Sequence, residues 1–122
     1  MSNLSVDPSS DVAPFEQVRA QVAGQVATGR LVAGQKLPTV RALAADLGLA
    51  VNTVARAYRE LEADGIITTE GRRGTFVHSR AVEAVSSDVR EAAGAYATTA
   101  RRAGLTLAEA TRLVERAWSS GP

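Results

Sequence analysis

The stretch that most constrains this chain is LPTVRALAADLGLAVNTVARAYRELEADGI, residues 37–66, where two helical apolar patterns are joined by only Gly-Leu-Ala. So short a join is too tight for two helices lying side by side in a bundle. It suits a helix-turn-helix, whose second helix is held out so that its exposed face can read a surface. Val40, Leu43, Ala44 and Leu47 form the inward stripe of the first helix, behind Thr39 as N-cap. Gly48 ends it as a left-handed residue before a sharp turn, and Leu49 plugs between the helices. The spacing predicts the next helix over about 51–63, with Val54, Ala57, Tyr58 and Leu61 inside and Gly65 closing it.

At about 100° per residue, Asn52, Arg56, Arg59 and Ala63 lie opposite that stripe. Taken alone, such a row is an ordinary solvated face, and Glu60 and Glu62 nearby favour that reading. The following segment, IITTEGRRGTFVHS, changes the balance. Residues 66–69 and 75–77 are short β-prone runs, and Gly71 and Gly74 bracket Arg72 and Arg73 between them. A hairpin with two adjacent positive charges at its tip, directly after a helix-turn-helix, is a wing. Its arginines suit phosphates or a narrow minor groove.

Upstream, residues 1–13 mix Ser, Asp and Pro and are expected to form a flexible lead. Phe15, Val18, Val22 and Val26 give a first helix after Pro14, stopped by Gly29, and RLVAGQKLP is a connector with a Gly turn. The net charge of +1 does not announce a nucleic-acid binder, so that reading rests on local charge. Residues 36–80 carry seven basic and five acidic side chains. Lys36 is the only lysine among 14 basic residues, a bias towards Arg that fits DNA contact but more simply reflects a G+C-rich genome. The absence of cysteine excludes disulfides, a thiol nucleophile and Cys-based zinc. His78 alone builds neither a metal site nor a nucleophile–base pair, and it is expected to be exposed just past the second wing strand. No run is apolar enough to span a bilayer and the N-terminus does not read as a signal peptide, so the chain is expected in the cytoplasm.

From Ala81 the pattern changes. Val82, Val85, Val89, Ala92, Tyr96, Thr99 and Ala103 alternate three- and four-residue steps, a helical seam rich in small residues that Gly104 breaks. Thr106 and Glu109 form a capping box for a last helix through about residue 118, with Leu107, Ala110, Leu113, Val114, Ala117 and Trp118 apolar, and residues 119–122 are expected to be a flexible tail. Two such helices are marginal alone, so pairing with a second copy is favoured over packing back onto the winged domain. The expected dimer contacts are Val85, Val89, Tyr96, Leu107, Leu113, Val114 and Trp118. Tyr96 and Trp118 could instead line a pocket for an unknown small-molecule effector, but aromatics at helical spacing are read as core.

The words LPTVRALAADLGL, NTVARAYRELEADGII and GRRGTFV closely resemble the winged helix-turn-helix of the GntR family of bacterial transcription regulators, over residues 14 to about 79. The two-helix C-terminus, with GLTLAEATRLVERAW, is similar to the YtrA-type subfamily, which lacks a large effector domain and whose members are typically dimeric repressors. The resemblance implies that Arg41 contacts DNA, that Asn52, Thr53 and Arg56 belong to the recognition helix, and that Gly71 to Gly74 form the wing tip. At the start of the recognition helix Ala50 stands where the family usually has a polar cap, so it neither caps nor donates to phosphate. Val51 could meet a thymine methyl.

The fold expected is mainly α with a small β-hairpin wing: a DNA-binding domain over 14–79 and a helical dimerisation segment over 80–118. Arg56 and Asn52 are the base-edge candidates, and Arg59 lies further along, towards phosphate or solvent. Lys36, Thr39, Arg41, Arg72 and Arg73 would position the protein on the DNA backbone. The expected partners are an operator in double-stranded DNA and a second copy, with no membrane, cofactor, metal or catalytic residue. A winged helix used only for protein contact, or a replication or partition factor, are the competing readings.

Overall fold

The computed structural model describes residues 3–83 and 86–121. The chain divides into two compact units, Met1–Val82 and Glu83–Pro122. The first holds α1 (Pro14–Ala27), β1 (Lys36–Leu37), α2 (Val40–Leu47), α3 (Val51–Ala63), β2 (Ile67–Thr69) and β3 (Thr75–Val77). A short α4 (Arg80–Glu83) follows, and the second unit holds α5 (Ser87–Arg102) and α6 (Leu107–Ser120).

Local chemistry sets the ends of the helix-turn-helix. Pro14 opens α1 at a position whose N–H has no helical acceptor. Thr39 Oγ1 accepts from the Ala42 N–H at 3.1 Å, capping α2. Gly48 takes φ 67°, ψ 33°, and the Leu49 N–H then reaches back to the Ala44 carbonyl at 2.9 Å. That pair of features turns the chain sharply into α3. The core joins Val18 and Val22 of α1, Leu43 and Ala44 of α2, Val54, Ala57, Tyr58 and Leu61 of α3, and Ile67 and Val77 of the sheet. Leu31 and Leu37, from the expected connector, are buried with them.

That connector also supplies a strand. The sheet runs β1-β3-β2, antiparallel throughout, with Lys36 opposite Phe76 and Ile67 opposite Val77. Two bonds bring β1 in, from the Gly34 N–H to the Val77 carbonyl and from the Val77 N–H to the Gln35 carbonyl, each 2.9 Å. A two-residue strand has no periodicity to read, so only its partner reveals it.

The lead expected to be free over residues 1–13 is tied to α1 where it is described. Gln17 accepts from the Asp7 N–H at 2.8 Å and donates to the Asp7 and Val12 carbonyls. Gln21 accepts from the Ser5 N–H at 3.1 Å and donates to the Ser5 carbonyl at 2.7 Å. These amides act like strand partners for the lead and lay Leu4 and Val6 against the core.

In the second unit the expected seam is not carried by one helix. Ser86 is extended (φ −68°, ψ 160°), so α5 starts afresh, with Asp88 in a first turn that favours negative charge. Val85 lies outside the described residues. Gly104, at φ 81°, ends α5, and the expected capping box opens α6. There the Glu109 N–H donates to Thr106 Oγ1 at 3.1 Å, and the Thr106 N–H donates to Glu109 Oε1 at 2.9 Å. The helix continues past residue 118 to Ser120, whose hydroxyl donates to the Arg116 carbonyl at 2.9 Å. Ala100 and Ala110 are buried, and Tyr96 donates its phenol to the Ala110 carbonyl at 2.6 Å, locking α5 to α6.

Candidate nucleic-acid interface

Burial of Val54, Ala57 and Leu61 on one side of α3 leaves Asn52, Arg56 and Arg59 exposed on the other. Thr53 is half-buried at the helix flank. Ala50 sits at the N-cap in extended geometry without a side-chain bond, as its methyl requires. The α3 N-terminus therefore meets solvent uncapped, with Val51 40% exposed beside it.

Arg56 is more constrained than the sequence indicates. Its guanidinium lies over the ring of Phe15 from α1, 3.7 Å from the centroid, and its Nε is 4.0 Å from Glu60 Oε1, one turn along α3. Phe15, expected on the core face of α1, is half-buried. One turn further along α1, Arg19 pairs with Glu16, and that bond holds the guanidinium pKa above its ordinary value. The same bond pulls the Glu16 carboxyl below its own. Nothing local marks Phe15 as a partner of Arg56, because the contact exists only once α1 and α3 cross.

At the start of α2, Arg41 is exposed one residue inside the helix, and the Thr39 hydroxyl has its oxygen on Ala42 and its hydrogen left to donate. The loop before them is anchored to α3 by Tyr58, whose hydroxyl donates to the Pro38 carbonyl at 2.7 Å. Burial pushes the Tyr58 phenol well above its ordinary pKa of 10.0.

The wing tip is a single 3₁₀ turn, Gly71–Arg73, closed by the Glu70 N–H donating to the Gly74 carbonyl at 2.8 Å. Arg72 and Arg73 are exposed on it. Lys36 passes alongside: a Cβ on Gly74 would sit 2.9 Å from Lys36 Cε. The third strand thus brings the side chain of the chain's one lysine beside Gly74 at the wing tip. Glu62 Oε2 accepts from the Thr69 N–H at 3.0 Å, joining α3 to the wing's outer strand. His78, expected to be exposed, is half-buried with Nδ1 3.1 Å from Thr68 Oγ1, because it shares the sheet face of Phe76.

In the second unit, Val89, Leu107, Leu113, Val114 and Trp118 are exposed, Leu107 and Trp118 by 83% and 86%. Tyr96 is half-buried. Trp118, read as core, is left exposed by the described residues, whereas Tyr96 is the large α5 side chain that reaches α6. Tyr96, Ala97, Ala100, Leu105, Ala110 and Val114 line an open apolar groove between the two helices.

A tight helix-turn-helix followed by a hairpin with a basic tip defines the first unit as a winged helix-turn-helix domain. A family model described as bacterial regulatory proteins, gntR family, matches residues 14–77. The chain belongs to that family, a transcription regulator and not an enzyme. It is 48% identical over 109 residues to the HTH-type transcriptional regulator Rv1152 of Mycobacterium tuberculosis, covering 89% of this chain and 88% of that protein. It is 40% identical over 78 residues to the HTH-type transcriptional repressor YtrA of Bacillus subtilis, covering 64% of this chain and 60% of the repressor. Among solved structures it is similar to YtrA from Sulfolobus acidocaldarius, a GntR-family transcription factor, with a TM-score of 0.59, 27% identity and coverage of 93% and 95%. It is also similar to AraR(DBD) in complex with operator ORX1, with a TM-score of 0.55, 25% identity and coverage of 60% of this chain and 93% of that one. Among the described residues no helix is long and apolar enough to cross a membrane.

Proposed function

We propose that this chain is a repressor that binds a palindromic operator as a homodimer, with Met1–Val82 reading DNA and the α5–α6 hairpin pairing two copies. The observation that carries the reading is the placement of Asn52, Arg56 and Arg59 on the uncovered side of α3, in a unit that also exposes Arg41, Lys36, Arg72 and Arg73. Arg56 suits a guanine edge and Asn52 an adenine edge in the major groove. Arg59, Arg41, Thr39 and Lys36 suit phosphates, and Arg72 and Arg73 suit the backbone or minor groove beside it. Operator binding by AraR(DBD) and the repressor name of the Bacillus subtilis relative support this direction.

Leu107, Val114 and Trp118 recur at seven- and four-residue steps and so share one side of α6, exposed among the described residues. A second copy would bury that stripe and set two α3 helices about one DNA turn apart. The test is selection from a genomic fragment library at two salt concentrations. Enrichment of a palindrome with half-sites about one helical turn apart is the expected result. Binding that selects no sequence and vanishes with salt would end the repressor reading.

A further inference from the structure

We infer that Phe15 is a specificity-determining positioning residue for DNA, acting by holding the Arg56 guanidinium in the orientation that reads a base. The inference rests on the operator reading above. Arg56 leaves α3 with its side chain 57% exposed, and a side chain so exposed samples many rotamers. The Phe15 ring, 3.7 Å beneath the guanidinium carbon, removes most of that freedom before any DNA arrives. A stack of this kind occupies the face of the guanidinium and leaves its in-plane N–H edge for an acceptor such as the O6 and N7 of guanine. Glu60 Oε1, 4.0 Å from Nε and one turn along α3, adds a second, weaker hold on the same guanidinium. Because Phe15 belongs to α1, the element packed across α3 sets how the recognition helix presents its arginine.

The experiment is a selection profile for the full-length protein, its Phe15→Leu and Phe15→Tyr variants, and both Phe15 changes in an Arg56→Ala background. Urea unfolding of each variant runs alongside. Phe15→Leu is expected to lower preference at the Arg56-read base pair by about two- to fivefold, the strength of an exposed cation–π contact expressed as a ratio, with random-sequence binding unchanged. Phe15→Tyr keeps a ring and restores the preference. With Arg56→Ala the Phe15 changes have no further effect on preference. The inference is overturned if Phe15→Leu keeps the parental preference, weakens all DNA equally, or acts the same without Arg56. A parent that selects no base at all sinks the operator reading, and this inference with it. A selective parent with an unchanged Phe15→Leu profile sinks the inference alone.

Discussion

The Tyr58 hydroxyl donates to the Pro38 carbonyl at 2.7 Å, so a core residue of α3 fixes the loop from which Thr39 and Arg41 start α2. The start of α2 is therefore tied to the middle of α3 as well as joined to it through the Gly48 turn. Replacing Tyr58 with Phe leaves a partly buried carbonyl without its donor. We expect a loss of about 1 kcal/mol, read as a lower urea midpoint. The phenol's pKa is raised by burial, so the folded state holds it neutral while the unfolded chain ionises near the ordinary 10.0. Its contribution is whole below that pH and declines above it. The parent should therefore lose stability from about pH 10 upwards, and Tyr58→Phe should lose less over the same range.

Ala50 has the extended backbone of an N-cap and no side-chain oxygen to use it. Ala50→Ser should stabilise the protein by about 0.5–1 kcal/mol, since loss of such a cap typically costs that much or more. Thr39→Ala, which removes an existing cap bond, should destabilise by about the same amount. Chemical denaturation of the two single variants checks both signs, and a neutral Ala50→Ser would mean that the α3 start is held elsewhere.

Arg56 and the wing arginines should separate by the kind of DNA they affect. Arg56→Ala should weaken operator binding by about 1–3 kcal/mol and relax one base position. Arg72→Ala with Arg73→Ala should weaken operator and random DNA alike, and reduce the salt slope by about one for each phosphate no longer neutralised. Titrations at several salt concentrations decide the matter. Equal weakening on both DNAs for Arg56→Ala would place it among the phosphate-binding residues.

Gly74 takes φ 115°, ψ −165°, and Lys36 Cε occupies the space a Cβ would need. Gly74→Ala should cost about 1–3 kcal/mol and displace the Lys36 side chain from its place beside Gly74. Unfolding curves and the Lys36 Nζ environment by NMR report the two effects separately.

Trp118 is the only tryptophan and 86% exposed, so its fluorescence reports directly on the α6 stripe. In a dimer formed through α6 the emission should lie to the blue and shift red on dilution. Leu107→Glu should give the red spectrum at every concentration and sediment as a monomer. A parental spectrum that stays red at high concentration would remove α6 from the interface.

The apolar spacing of α1, α2 and α3, the Thr39 and Thr106 caps, the Gly48 turn and the Arg72–Arg73 tip were all legible in the sequence. Each depends on residues within a turn or two of one another, where period and local hydrogen bonding decide the outcome. Four features were not legible. They are the third strand at Lys36–Leu37, the pairing of Gln17 and Gln21 with the lead, the His78–Thr68 contact, and the Phe15 ring under Arg56. All join segments distant in the chain and carry no period of their own. The break at Ser86 is hidden for the opposite reason: a continuous apolar spacing masks a Ser-Ser-Asp helix start. A helix-turn-helix with a basic wing follows from residue order alone, because amphipathic period and turn chemistry are local. What holds Arg56 and Lys36 in place could not be read that way, because those contacts exist only after α1 crosses α3 and β1 joins β3.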